Sequence, residues 1–117
     1  QKFLSDEYYS DSRSKIFYRR GYSLNKIRYN LIRKGIDQKY IKASISKIKE
    51  NESNPDFFSA IKLCKRRRIG PNREESNRSL FYKKDISILA RSGFSYEVSK
   101  KVLDLPKTEF VKFCKMI

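Results

Sequence analysis

Apolar residues recur along this chain at three- and four-residue intervals, and no stretch alternates strictly between apolar and polar. That is the period of a helix face, so the pattern predicts an all-α chain. The clearest case is Leu24, Ile27, Leu31 and Ile32, which fall on one side of a helix. A helix before it opens at Ser5 as N-cap, places Asp6 and Glu7 in the dipole-favoured first turn, turns Tyr9, Ile16 and Phe17 inward and stops at Arg20-Gly21. The second helix opens at Ser23 and ends at Gly35. The third opens at Asp37 and buries Tyr40, Ile41, Ser44, Ile45 and Ile48.

The polar stretch KENESNP at 49–55 then reads as a linker, with Asn54 expected to cap the next helix and Pro55 at its first position. The fourth helix carries Phe57, Ile61 and Cys64 and ends in KRRRIG at 65–70. PNREESNRS at 71–79 is expected to be a mobile loop. The fifth helix turns Tyr82, Ile86, Leu89 and Ala90 inward and stops at Gly93. The sixth is capped by Ser95 and buries Val98, Val102 and Leu103. The last begins near Pro106, with Phe110, Phe113, Cys114 and Ile117 on one side.

One phrase occurs twice, as RKGIDQKYIKASI at 33–45 and RSGFSYEVSKKVL at 91–103. A shift of 58 residues superimposes them, pairing Leu24 with Tyr82, Leu31 with Leu89, Gly35 with Gly93, Ile36 with Phe94, Asp37 with Ser95, Tyr40 with Val98 and Ile45 with Leu103. Each phrase is a helix–helix joint. The glycine takes the left-handed cap, the apolar residue plugs the joint, and Asp or Ser caps the next helix. The expected fold is therefore all-α, with tandem three-helix repeats over 1–50 and 51–105 forming a short elongated helical array and a C-terminal capping helix over 106–117.

Charge changes this picture from fold to partner. Lys and Arg number 28 against 13 Asp and Glu, a net charge of +15. Such a surplus repels itself unless a polyanion relieves it, so nucleic acid or a nucleoprotein is the expected partner. Cations at helix C-termini also answer the helix dipole, but that role does not require a surplus of fifteen. Cys64 and Cys114 have no CxxC spacing and the chain has no His, which argues against a Cys/His zinc site and for buried thiols in a reducing compartment. No run has the length of a membrane span, and no signal peptide is visible. The chain opens on Gln1 rather than Met, so it is expected to be a piece whose N-terminal part is absent.

Catalytic signals are poor. There is no His for acid–base work, no GxxxxGK[ST] loop and no GxGxxG. The acidic residues Asp6, Glu7, Asp11, Glu74, Glu75 and Asp104 are dispersed and read as caps and solubilising charge. No cofactor, metal or catalytic residue is expected. Tyr8, Tyr18, Tyr22, Tyr29 and Tyr96 could stack on unpaired bases, although aromatic residues at helical spacing more often belong to the core. A helix-turn-helix reader of duplex DNA, with the third or sixth helix as reader, is disfavoured because both helices are needed for packing.

DEYYSDSRSKIFYRRGYSLNKIRYNLIRKGID at 6–37 resembles the middle repeat of the RecX family, regulators of the RecA recombinase. KRRRIG at 65–70 and RSGFSYEVSKKVL at 91–103 resemble the last repeat. The resemblance spans 4–104, with the GFSYEV phrase its most specific part. It implies an array of three-helix repeats and a non-enzymatic modulator that docks on the RecA–single-stranded DNA filament and either inhibits the recombinase or promotes filament disassembly, in DNA repair, recombination and the SOS response; the protein is expected to be a cytoplasmic monomer. The family pattern also places another repeat before these two. The residues that match its basic positions are Arg19, Arg20, Arg33, Lys34, Lys65, Arg66, Arg67, Arg68 and Arg91, the candidates for docking on DNA phosphates or acidic RecA surface. The alternative is a generic basic helical module that binds bare DNA or RNA without regard to RecA. A metal-dependent nuclease and a membrane-surface binder are weaker readings still.

Overall fold

A computed structural model describes residues 5–117; Gln1 to Leu4, the start of the expected 1–50 unit and of the resemblance, lie outside the described residues. The described residues form eight α-helices and one 3-10 turn, with no strand among them. The helices are α1 (Asp6–Arg19), α2 (Leu24–Arg33), α3 (Gln38–Asn51), α4 (Pro55–Arg67), α5 (Glu75–Arg78), α6 (Tyr82–Arg91), α7 (Tyr96–Leu103) and α8 (Lys107–Met116). The turn covers Gly70–Asn72. The molecule measures 56 × 25 × 20 Å, the outline of a short array.

Two separate cores explain that shape. Phe17, Leu24, Ile27, Leu31, Ile41, Ile45 and Ile48 pack together where α1, α2 and α3 meet. Ile61, Cys64, Leu89, Phe94, Val102, Leu103 and Phe110 form the second core, where α4 packs on α7 and α8, and α6 on α7. Each fully buried aliphatic chain contributes roughly 1.5–3 kcal/mol. Helix α8 closes the second core as the capping helix. Phe110 enters that core, and Phe113 meets Phe57 and Phe58 edge-to-face at 5.1 and 5.9 Å between ring centres.

The caps read from the sequence form as local chemistry dictates. Ser5, Ser23, Asp37 and Ser95 accept hydrogen bonds from the backbone N–H of Tyr8, Lys26, Lys39 and Val98. The two joints are copies: Gly35 N–H donates to Ile32 O and Ile36 N–H to Leu31 O, as Gly93 N–H does to Ala90 O and Phe94 N–H to Leu89 O. On the seam between α1 and α3 the side chains are small. Ser10 and Ser44 bond each other at 2.7 Å, and Ser44 donates on to Asp11 at 2.6 Å.

Several expectations are corrected. Asn54 does not cap α4 with its side chain; its backbone is left-handed (φ +52°), while Asp56 from the next turn accepts from Leu24 N–H across the units at 2.9 Å. The linker is shorter than expected, because α3 runs on through Lys49 to Asn51. Ile32 lies outside the apolar stripe and is 44% exposed; Ala90 and Ile117 are also exposed. Cys64 is buried as expected but Cys114 only half-buried, and both are free thiols.

The largest correction concerns 71–79. It is a strap rather than a loose loop, with the buried Pro71 in the 3-10 turn and α5 behind it. Its cations work inward. Arg73 grips the buried Asp85 through Nε and Nη2 at 2.8 and 2.9 Å, and Arg78 donates to the carbonyls of Leu103 and Leu105 at the end of α7.

Candidate functional site

The nine candidate cations stand at helix ends, where four C-terminal carbonyls per helix lack partners and favour positive charge. Arg19 and Arg20 close α1; Arg33 and Lys34 close α2; Lys65, Arg66, Arg67 and Arg68 close α4; Arg91 closes α6. All nine are exposed. Five ion pairs form among the described residues, Asp11–Lys47, Asp85–Arg73, Glu75–Arg78, Asp104–Lys100 and Glu109–Lys112, and none uses a candidate cation. Their charge is therefore available to an external anion.

The structure divides the nine into groups. At the seam of α1 with α4, Arg66 donates to Arg20 O at 3.1 Å and Lys62 to Arg19 O at 3.3 Å. Arg66 thus also holds the two units together. Arg33 and Arg91, equivalent positions of the two repeats, line one cleft with Asn25, Lys26, Tyr29, Asn30, Ser92 and Gly93. Lys34 lies outside that cleft. Lys65, Arg67 and Arg68 form an exposed run at the end of α4.

Arg68 stands in the left-handed region at φ +56°, a conformation that side chains with a Cβ resist. Arg68→Gly relieves that strain, roughly 1–2 kcal/mol, at an entropic cost of roughly 0.5–1 kcal/mol. The expected result is a rise in the urea midpoint equivalent to about 0.5–1 kcal/mol. A fall would show that the Arg68 side chain makes a stabilising contact outweighing the strain.

The tyrosines separate as well. Tyr22 stacks on Phe17 at 4.9 Å between ring centres, with Lys26 over its other side. Tyr18 is half-buried beneath Lys62, and burial, aided by Glu52 and Asp56, pushes its hydroxyl up to about 12. Both are committed to packing. Tyr8, Tyr29 and Tyr96 are 59, 60 and 65% exposed, and of these Tyr29 lines the inter-unit cleft.

Catalytic chemistry finds little to work with. Burial pushes the Cys64 thiol up to about 12, so it stays protonated and is a poor nucleophile at neutral pH. Burial also raises Asp11, but the bonds from Lys47 and Ser44 outweigh it and hold that carboxyl below its ordinary value. Asp56 is raised by burial, with the Leu24 N–H bond opposing. Among the described residues, no three His, Cys, Asp or Glu side chains gather to hold a metal ion, and no helix is long and apolar enough to cross a membrane.

The sequence places Lys26 in the basic run along the second helix but not among the nine docking candidates, and it gives no sign of Lys62. Lys26 sits in the first turn of α2, where the helix dipole does not favour a cation, and Lys62 is a single cation inside an apolar stretch. Only the packing of one unit on the other brings Lys62 to Arg19 O and Tyr18, and Lys26 into one cleft with Arg91.

The chain is 29% identical over 102 residues to the Regulatory protein RecX of Myxococcus xanthus (strain DK1622). The match covers 86% of this chain and 54% of that protein, so the chain spans about half the length of its relative. The similarity runs through both helical units of the chain. No family model matches the chain, and no solved structure matches it.

Proposed function

We propose that this chain binds the RecA–single-stranded DNA filament and modulates, in the inhibiting direction, recombinase activity in DNA repair and recombination. The observation that carries the reading is the similarity to a RecX regulatory protein over 86% of the chain. Its physical support is an elongated array 56 Å long, with nine exposed cations at its helix ends that use none of their charge on internal carboxylates. An array of that shape suits the groove of a helical nucleoprotein filament. The working units in this reading are 1–50 and 51–105, closed by 106–117, and the protein acts as a monomer in the cytoplasm.

Co-sedimentation with RecA filaments assembled on single-stranded DNA, beside bare DNA at the same near-physiological salt, tests this directly. Preferential binding to the filament is expected. Equal or stronger binding to bare DNA would leave a generic basic nucleic-acid binder, the reading that the +15 charge alone would favour.

A paired substitution sharpens the test. Lys65→Gln with Arg67→Gln removes two free cations and leaves Arg66 on Arg20 O. Filament binding should weaken several-fold, and its salt slope should fall by roughly 1–2, with an unchanged helical circular-dichroism spectrum. Unaltered binding would remove the end of α4 from the docking surface.

A further inference from the structure

The cleft where the two units meet is built differently from the rest of the basic surface. It is an open cleft of about 360 Å³ between α2, from Asn25 to Arg33, and the end of α6. Lys26 and Arg33 enter from one side and Arg91 from the other. None of the three has a carboxylate partner among the described residues. Three like charges in one concavity repel each other, and an anion placed between them removes that cost.

The backbone groups that could have served as internal anions are already occupied. Ser23 donates to Ser92 O at 2.7 Å, and the Asn25 amide reaches Gly93 O at 3.4 Å. All three cations are exposed, with the Lys26 ammonium resting 4.2 Å over the Tyr22 ring and no carboxylate paired with any of them among the described residues.

Charge alone would suit any phosphate. Tyr29 narrows the class. Its ring lines the same cleft and is 60% exposed, with the Arg33 guanidinium 5.6 Å from the ring centre. An aromatic face beside unpaired cations is the combination that takes a stacked base and its phosphate together. Asn30 adds a polar edge. Its amide nitrogen is fixed on Lys26 O at 2.8 Å, which leaves its side-chain oxygen free to accept. A base can stack on Tyr29 only if it is not already paired within a duplex.

We infer that this inter-unit cleft binds an unpaired nucleotide of single-stranded nucleic acid, the base on Tyr29 and the flanking phosphates on Lys26, Arg33 and Arg91. The inference deepens the filament reading, since it names where the strand is held, but it makes its own claim on bare single strands. The cleft also exists only while the two units are docked. Strand binding and the Ser23–Ser92 contact therefore stabilise each other.

The chain has no Trp, so Tyr29→Trp places the sole indole of the protein in the cleft. A short oligothymidylate titrated into that variant should quench the indole fluorescence at near-physiological salt, and the matching duplex should do so far less. In the natural background, Tyr29→Ala should weaken single-strand binding by roughly 5- to 100-fold with little change in salt slope. Arg91→Gln should lower the slope by roughly 0.7. Tyr8→Ala and Tyr96→Ala, at exposed rings outside the cleft, should change neither.

Equal losses from Tyr29→Ala and Tyr96→Ala, an unquenched indole, or quenching by duplex as strong as by single strand would each overturn the assignment. The outcomes also separate the two readings. Preferential filament binding with an unquenched indole retires the cleft alone. Quenching without filament preference retires the filament reading alone.

Discussion

Asp85→Ala is expected to cost about 3–5 kcal/mol of folding stability, the scale of a buried ion pair stripped of one partner. The Asp85 side chain is fully buried, and its two oxygens accept three bonds, from Gly70 N–H at 2.9 Å and from Arg73 Nε and Nη2 at 2.8 and 2.9 Å. Those bonds hold the connector between α4 and α6 against the second core, and the bond to Asp85 raises the Arg73 pKa. Alanine leaves a buried backbone donor and a mostly buried guanidinium without an acceptor. Asp85→Asn keeps one oxygen for either donor and should cost less, about 1.5–3 kcal/mol. Arg73→Ala should approach the loss in Asp85→Ala, and the double variant should lose far less than the sum, because both residues serve one clamp. Urea unfolding of the four proteins decides it. A loss below about 1 kcal/mol in Asp85→Ala, the value of an ordinary neutral hydrogen bond, would mean that the strap is held by packing and that the clamp contributes nothing.

This clamp marks the boundary of what the sequence reveals. Helix caps and the repeated joint are legible because their partners lie within six residues. A Ser three residues ahead of its N–H donor, or a Gly after the last turn, is local chemistry. Asp85 belongs to another class, since its partners are 12 and 15 residues away. The 58-residue shift sets it opposite Ile27, a fully buried apolar position. By pattern the site should be apolar, and a lone Asp inside a basic helix looks like surface charge. The same blindness turned Arg73 and Arg78 into an expected mobile loop, because a run of charges reads as solvated unless the groups they reach are known.

The basic surface was legible in composition and in part by position. Helix ends rich in Arg follow from the dipole, and the surplus of charge points to a polyanion. Sequence does not say which ends meet. Arg33 and Arg91 are equivalent residues of two repeats, and a simple translation of one unit onto the next would keep them apart. They share a cleft because the Ser92–Gly93 joint rests on the first turn of α2, through Ser23 and Asn25. Tyr29 was one of five candidate tyrosines by sequence; packing commits Tyr18 and Tyr22, and of the three exposed rings left only Tyr29 lines the inter-unit cleft.

The glycine pair turns this docking into a measurement. Gly35 and Gly93 have the same role in their joints, with φ of +80° and +93° and the same two backbone bonds behind them. Alanine at either must take a left-handed conformation, which costs about 1–2 kcal/mol. At Gly35 a Cβ meets nothing within 4 Å, so that strain is the whole penalty. At Gly93 a Cβ would overlap Ser23 Oγ. Ser23 has no room to yield, because its hydroxyl donates to Ser92 O while accepting from Lys26 N–H. Overpacking of that kind adds about 1–3 kcal/mol. Gly93→Ala should therefore unfold at clearly lower urea than Gly35→Ala, by about 1–3 kcal/mol. If it folds with the units parted, it should also lose the cleft that Arg33 and Arg91 share. Equal penalties at the two glycines would mean that the units do not rest on each other at this joint. The shared cleft would then have no basis, and the two repeats would present their arginines as separate surfaces.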